Sequence, residues 1–417
     1  MKRYRLREEM NAIPEPPGKS WFWELEAGVI DAGRCVQCGT CVAVCPSNSI
    51  GVKRENNLPE LVKMCTGCSL CWDFCPRGGL RYEALWRLCS PERAHARPEP
   101  DAPPPLAATV GTPGADTLGA PLEWHSARAA ARAPGAQDGG VVTALLGALL
   151  EAGAIDGALV SRPSDDPAEP WRGVATVATT ASELAACAGS FYNQTMALAE
   201  LDLSAYELAD GARLAVVGTA CQVQGIRAMQ ARPWDTGAHR VDAVVLTIAL
   251  MCTKSFDYEG LVLRELAERR KVELERVRRI DITRGRLLVE YVDGTLAVDE
   301  AVGAFHGAAL RGCEECADFL GRGADLSVGS VGSADGWTSV LVRTGRGRRA
   351  FHAARAALVV RDLADPEALA RLDRLDRRTA ESALQRPLDP GAPLFIGYEE
   401  HLECYGASDR RPAPLAR

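Results

Sequence analysis

The sequence has no basic excess: 48 lysines and arginines stand against 55 aspartates and glutamates, for a formal net charge of −7. Gripping a phosphate backbone needs a cationic surface, so nucleic acid is not expected as a partner. Long apolar runs are also missing. The best stretch, 141–160, is broken by Glu151, Asp156 and three glycines, short of the ~18 uncharged residues of a membrane span. Met1–Met10 is charged and lacks the apolar core of an export signal. No integral membrane segment is expected. A reducing cytoplasm is the expected location, with peripheral attachment to a membrane complex left open. Large apolar residues are scarce from Pro91 to Pro134, which contains Pro103-Pro104-Pro105. Such a segment cannot bury a core and reads as an extended linker.

What the chain has in plenty is cysteine, 15 in 417 residues. In a reducing compartment that number serves metal or redox chemistry rather than a disulfide framework. Nine fall between Cys35 and Cys89, six between Cys187 and Cys404. The first eight are ordered: Cys35-x2-Cys38-x2-Cys41-x3-Cys45-Pro46, then Cys65-x2-Cys68-x2-Cys71-x3-Cys75-Pro76. This is the bacterial ferredoxin pattern for two 4Fe–4S clusters. Three cysteines on a tight loop wrap one cubane, and the fourth opens away toward the other. Cys35, Cys38, Cys41 and Cys75 are assigned to one cluster, and Cys65, Cys68, Cys71 and Cys45 to the second. Structural zinc needs four thiolates per site but does not explain the repeated spacing with its proline.

The second half alternates short apolar runs with helical patterns. A helix is expected over 141–152. Strands are expected over 157–161, 213–217, 241–251 and 337–342. A hairpin is expected around Arg284-Gly285, followed by a strand at 295–298. The fold class is α+β (mixed α/β): a small ferredoxin-like domain with two 4Fe–4S clusters, linked to a larger α/β domain. The expected boundaries are 1–89, a linker over 90–122, the large domain over 123–360 and an extension over 361–417.

Four more cysteines have suggestive settings: Cys313-x2-Cys316, and Cys221 and Cys252, each just after a strand-like run. Spacing alone leaves zinc, a redox disulfide and a third cluster open. Cys89, Cys187 and Cys404 have no partner spacing and read as small buried hydrophobes. Glycine-rich segments accompany these cysteines at 137–140, 189–194, 218–219 and 329–337; each singly is most simply a turn. A decoy dinucleotide fingerprint, Gly345-x-Gly347-x-x-Ala350 with Asp362 downstream, sits on a unit too short for that fold and carries three arginines.

Taken together, Gln137–Leu146, Gly189–Tyr192, Val217–Gln224, Cys252, Cys313–Asp318 and the run from Ala324 to Ser333 resemble the coenzyme F420 hydrogenase/dehydrogenase beta-subunit family. Its members include FAD and iron–sulfur subunits that react with the deazaflavin F420, formate dehydrogenase beta subunits and plant-type chlorophyll reductases. One departure is Ala220, where the family usually carries proline. The resemblance implies that Cys221, Cys252, Cys313 and Cys316 ligate a third 4Fe–4S cluster. It implies FAD contacts at Gly139, Gly140, Thr143, Gly189, Ser190, Tyr192, Thr219, Gly332 and Ser333. It further implies hydride transfer between F420 and FAD, with single electrons passed through the clusters to a redox partner protein or complex subunits. FAD belongs between a hydride carrier and one-electron clusters because it serves both electron counts. No side chain need act as a nucleophile; Lys254 is a weak candidate for steadying a reduced flavin and reads more simply as a solvated lysine. The basic run from Arg269 to Arg279 reads as a solvated helix face, or as a site for an acidic tail. Two other readings stand beside this one: a ferredoxin-fed reductase of another organic substrate, and a flavin-free polyferredoxin adaptor.

Overall fold

The computed structural model describes residues 21–80, 121–231 and 239–385. Cys89, Cys404 and the linker up to residue 120 lie outside these. The N-terminal unit begins with the helical turns Phe22–Leu25 and Glu26–Ile30. Two short helices follow, α1 (Thr40–Ala43) and α2 (Leu70–Asp73), separated by a hairpin of β1 (Ile50–Val52) and β2 (Pro59–Leu61). Each helix starts after a left-handed residue, Gly39 at φ 86° and Ser69 at φ 68°. That reversal folds each Cys-x2-Cys-x2-Cys run around one space, the purpose the spacing suggested.

The large unit is built on an eight-stranded sheet. Its strands are β3 (Glu123–Ala129), β4 (Gly157–Pro163), β5 (Gly173–Ala178), β6 (Leu214–Thr219) and β7 (Val244–Leu250). A separate antiparallel sheet comprises β8 (Val277–Thr283), β9 (Arg286–Tyr291) and β10 (Leu296–Ala301). The main sheet is completed by β11 (Leu326–Gly329), β12 (Thr338–Val342) and β13 (Leu358–Asp362), in the order β13-β3-β12-β11-β7-β6-β4-β5. The central pairs β11–β7, β7–β6 and β6–β4 are parallel, and the remaining pairs are antiparallel. Helix α3 (Val141–Glu151) packs on one face through Val141, Leu145, Leu146 and Leu149. The other face is covered by α4 (Ala220–Ala231), the turn Ala197–Leu201 and the N-terminal unit itself. Helices α5 (Gly345–Ala353) and α6 (Pro366–Gln385) are the last two helices of eight or more residues among the described residues.

Expected strands and helix recur within a few residues of their sequence positions, and three expectations change. The two units are not merely linked: Phe22, Trp72 and Phe74 share one apolar core with Leu159, Leu214, Val216 and Ile226 of the sheet and α4. The boundary at 360 falls inside β13, which is an edge strand of the main sheet, and α6 packs on through Leu369 and Ala370. The basic run is not one helix face. Arg270 pairs with Glu265 and Glu300 and lies over the Phe305 ring, while Arg278 and Arg279 belong to β8.

The junction is tight. A Cβ on Gly225 of α4 would sit 2.1 Å from Thr40 Oγ1 and 3.0 Å from its Cγ2, and Thr40 is fully buried. Gly225→Ala is therefore expected to lower stability by about 1–3 kcal/mol through overpacking. Thermal melts of the anaerobically purified protein check this. Adding Thr40→Ala should recover part of the loss, because it removes the two nearest clashing atoms.

Candidate functional site

The ferredoxin-type cysteines fall into two groups. The thiol of Cys75 lies beside Cys38, and that of Cys41 is pushed up by burial and then by Cys35, Cys38 and Cys75. The thiol of Cys71 is pushed up by burial and then by Cys68, Cys65 and Cys45. The fourth cysteine of each run thus stands with the other run's first three. Backbone amides point at the sulfurs: Gln37 N–H donates to Cys35 Sγ at 3.4 Å, Gly67 to Cys65 at 3.3 Å, Arg77 to Cys75 at 3.4 Å and Ser49 to Cys45 at 3.2 Å. Four thiols with such donors suit an iron–sulfur cubane, whose potential is set by hydrogen bonds to sulfur and by burial. Among the described residues, no three His, Cys, Asp or Glu side chains converge on a single-ion position. Cys45, Cys65, Cys68 and Cys71 instead line one pocket with Ser49 and Ile50, an arrangement that suits a cubane held at its corners, whereas zinc requires four sulfurs within bonding distance of one point.

Cys221, Cys252, Cys313 and Cys316 come together although they are far apart in sequence. Cys221 opens α4 at the end of β6, and Cys252 follows β7. Cys313 and Cys316 come from the turn Arg311–Glu315 and its end. Burial pushes up the Cys252 thiol, with Cys313 next in effect, and pushes Cys316 up to about 11. The donors differ from the ferredoxin pattern: Ser255 N–H reaches Cys313 Sγ at 3.4 Å, the Thr219 hydroxyl is 3.1 Å from Cys221 Sγ, and Gln194 Nε2 reaches that sulfur at 3.8 Å. Thr219, expected at a flavin, stands beside this cysteine group.

This third group abuts the first. Cys38 and Cys221 pack together with Val36, with Cys313 against them. Two buried arginines that the sequence reading passed over join the groups. Arg34 forks onto Glu315 at 2.7 and 2.8 Å and also donates to the carbonyls of Gly28 and Arg77. Arg77 donates to the Gly312 carbonyl at 2.5 Å. Burial alone would lower the Arg77 pKa, but Cys316, Glu315, Cys221 and Cys313 around it raise it overall. Gly312 is packed so closely that a Cβ there would lie 2.0 Å from Arg34 O. The available signal was position: Arg34 immediately precedes Cys35, and Arg77 follows Cys75-Pro76. Helix α6 closes the far side, where Asp373 takes Arg322 at 2.6 Å and Arg377 at 3.1 Å. Lys254 is half-buried, and its charge opposes the burial that pushes the Asp376 carboxyl well above its usual range.

The expected flavin segments meet in a polar cleft at the carboxyl edge of the parallel strands, where open α/β sheets bind ligands. Asp138, just before α3, is pushed up by burial and by Asp281; Arg279 and Arg132 oppose this, and Asp335 of the 329–337 loop adds to it. The Tyr192 hydroxyl donates to Asp281 Oδ1 at 3.2 Å and accepts from Ile282 N–H at 2.7 Å. Gln137 Oε1 and Arg279 Nε are buried here with no hydrogen-bond partner among the described residues. Buried polar atoms normally have partners, so this pair marks where a polar ligand fits. Arg279 and Asp281 were missed by sequence because strand β8 is far from the glycine loops in the chain. Ser190, Phe191 and Tyr192 also line a small pocket with Trp171, Tyr258 and Ile280.

Not every expected contact faces this cleft freely. A Cβ on Gly139 would meet Ala127 O at 2.6 Å, so that glycine answers to packing. Gly332 packs under Asp365 and Leu369, and the Ser333 hydroxyl is engaged by Ser126 and Ser339 at 2.7 and 2.8 Å. Gly140, at φ 66°, forms the helix start; Thr143 lies half-buried in the first turn, and Gly189 in the loop beside Ser190. The decoy is also resolved. Thr344 caps α5 by accepting from Gly347 N–H and donates to Asp325, while a Cβ on Gly347 would lie 2.2 Å from Asp325 O. Burial would raise the Asp325 carboxyl, but Arg227 and Arg346 hold it below its usual range. That helix end is filled by the protein's own groups, and Asp362 is exposed at the end of β13.

Three cubanes would bring about twelve irons per chain, four to each. Anaerobic iron and zinc analysis should give iron near that value. The double variant Cys313→Ser/Cys316→Ser should lose one cluster's worth while residues 35–75 keep theirs, visible as the loss of one set of paramagnetic signals on reduction. Zinc in place of iron, or no loss in the variant, contradicts the assignment.

Residues 124–202 and 211–365 match the N-terminal and C-terminal domains of the family described as coenzyme F420 hydrogenase/dehydrogenase, beta subunit. Residues 28–81 match a 4Fe–4S dicluster domain. The chain is 30% identical over 78% of its length to a coenzyme F420-dependent sulfite reductase of Methanocaldococcus jannaschii, but spans only 46% of that protein. It is 35% identical over 51% of its length, and 73% of the relative's, to the coenzyme F420 hydrogenase subunit beta of Methanothermobacter thermautotrophicus. A chain of the F420-reducing [NiFe] hydrogenase complex from Methanosarcina barkeri superposes with a TM-score of 0.58 at 28% identity, covering 63% of this chain and 91% of that one. With its thiol groups and its sheet in this arrangement, the chain belongs to the coenzyme F420 hydrogenase/dehydrogenase beta-subunit family, a family of F420-related iron–sulfur oxidoreductase subunits.

Proposed function

We propose that this protein exchanges hydride between coenzyme F420 and a bound FAD and passes single electrons through three 4Fe–4S clusters to or from a partner protein. The observation that carries the reading is the order of the cysteine groups. The Cys221 group lies nearest the cleft's sheet edge, and the Cys35 group touches it through Cys38. Cys41 of that group feels Cys71 of the next, whose Cys65 and Cys68 are half-exposed beside the exposed Met64. This is a line from an interior cleft to the surface. Bound FAD would supply the conversion between two-electron hydride chemistry and one-electron transfer. The residues that suit it are Gly140 and the first turn of α3 with Thr143, the Gly189–Tyr192 loop, Gln137 and Arg279. The helix start offers free amides to a pyrophosphate, and Gln137 Oε1 and Arg279 Nε offer an acceptor and a donor. Arg77 would offset the negative charge of adjacent clusters, and the amides at Gln37, Gly67 and Ser255 would hold their sulfurs. The partner is read as a subunit or carrier that docks near Cys65, by analogy with relatives named as hydrogenase and dehydrogenase subunits.

Flavin retention tests the first half. Flavin released by heat should be FAD at about one per chain. Gly140→Glu should abolish retention. Gly140→Ala, which carries only the left-handed backbone strain of about 1 kcal/mol, should keep most of it. Retention in the Glu variant would move the site elsewhere.

The reaction itself is tested anaerobically by mixing the protein with reduced F420 and a one-electron viologen acceptor, with NADH and NADPH as rival donors. Turnover with F420 and silence with the nicotinamides is expected. In Cys75→Ser, FAD reduction by F420 should persist while viologen reduction falls. Silence with all donors in FAD-loaded protein would favour a ferredoxin-fed reductase of another substrate. Survival of both steps in Cys75→Ser would overturn the order of carriers.

A further inference from the structure

We infer that Arg128, Arg361 and Trp337 form a docking patch for the acidic tail of F420, beside the cleft. The inference rests on the reading of F420 as the hydride partner and adds where its phosphate and carboxylates are held. The Trp337 ring has the Arg361 guanidinium 3.7 Å and the Arg128 guanidinium 5.0 Å from its centroid. The register of β13 on β3 sets Val359 opposite Arg128 and Arg361 opposite Ser126. The two arginines are therefore diagonal neighbours on one sheet face. Both are exposed, and among the described residues neither has a carboxylate at ion-pair distance. Other arginines around the cleft are committed: Arg279 to Asp281 and Arg284 to Asp335.

Stacking on a ring fixes a guanidinium plane while leaving its N–H edge open to solvent. Two such groups side by side match carboxylate and phosphate oxygens. Trp337 precedes Thr338, whose hydroxyl accepts from Gly139 N–H at 3.0 Å, and the Gly139 carbonyl accepts from Ala129 N–H, next to Arg128, at 2.7 Å. The patch thus adjoins the loop before α3 that borders the cleft. The exposed Arg132, whose Cγ would lie 3.4 Å from a Cβ on Gly140, extends the positive rim. The cleft floor is acidic at Asp138 and Asp281, which suits a neutral ring system, while the uncompensated positive charge lies at one end. A ligand with a neutral head and a polyanionic tail fits that polarity. The same phosphate chemistry occurs in the pyrophosphate of FAD, and the two sources separate experimentally.

The test compares F420 with its tail-less deazaflavin riboside, using FAD-loaded wild type and Arg128→Gln/Arg361→Gln. KM values are measured together with direct binding by equilibrium dialysis. Losing two exposed charge contacts should raise the KM and Kd for F420 roughly tenfold while leaving those for the riboside and the FAD content unchanged. Raising salt should weaken F420 binding by wild type and not riboside binding, a check that needs no variant. Equal weakening of both ligands, no weakening of F420, or loss of FAD in the variant each overturns the inference; the last assigns the arginines to the flavin pyrophosphate. If wild type binds neither deazaflavin, the F420 reading fails and the tail patch with it, a result distinct from binding that ignores the arginines.

Discussion

Three groups of four thiols are brought into one buried seam, and the structure depends on making that seam tolerable. Thiols pushed up by burial are poor anions by themselves, and the cost falls only when cationic charge and hydrogen-bond donors share the space. Arg77 supplies charge to the first and third groups at once, and Arg34 locks the turn bearing Cys313 to the loop bearing Cys35 through Glu315. Neither arginine works unless the N-terminal unit is seated on the sheet. Removing one partner of such a buried pair typically costs about 3–5 kcal/mol. The close contacts of Gly225 with Thr40 and of Gly312 with Arg34 follow from that seating.

The same seating explains why the two units share a core. A unit of some sixty residues with four-residue helices and three-residue strands buries little apolar surface alone. Placing Phe22, Trp72 and Phe74 against the sheet face of Leu159, Leu214 and Val216 supplies the missing burial and brings Cys38 onto Cys221. On the opposite side of the site, the β8–β10 sheet places Arg279 and Asp281 over the loop before α3. The cleft is therefore assembled from elements remote in sequence, held by a sheet whose carboxyl edge gathers all their loops.

Some elements were legible because their signals are local. The eight ferredoxin-type cysteines announce themselves by spacing, since three ligands on one loop require it. Strands such as Leu214–Thr219 and the Arg284-Gly285 hairpin follow from period-two patterning and a turn residue. Other features misled for equally physical reasons. The run Arg269–Arg279 looked like a helix face, yet it crosses a helix end and a turn and enters a strand, because packing of Leu274 and Val277 outweighs local charge pattern. Thr219 has the small polar character of a flavin contact, and only the tertiary structure shows its hydroxyl beside Cys221 Sγ.

Residue pattern alone thus gave access to the 4Fe–4S dicluster domain, the mixed α/β class and the family, because each rests on short segments whose chemistry is self-contained. Tertiary structure alone decided that Cys221, Cys252, Cys313 and Cys316 form one group and that this group abuts Cys38. It also decided that Arg34 and Arg77 tie the first cysteine group to the turn of the third, and that Gln137 Oε1 and Arg279 Nε are both buried without partners among the described residues. These are contacts between residues tens to hundreds of positions apart. Their existence depends on how one sheet is ordered and which of its faces the N-terminal unit covers, and no local pattern encodes either.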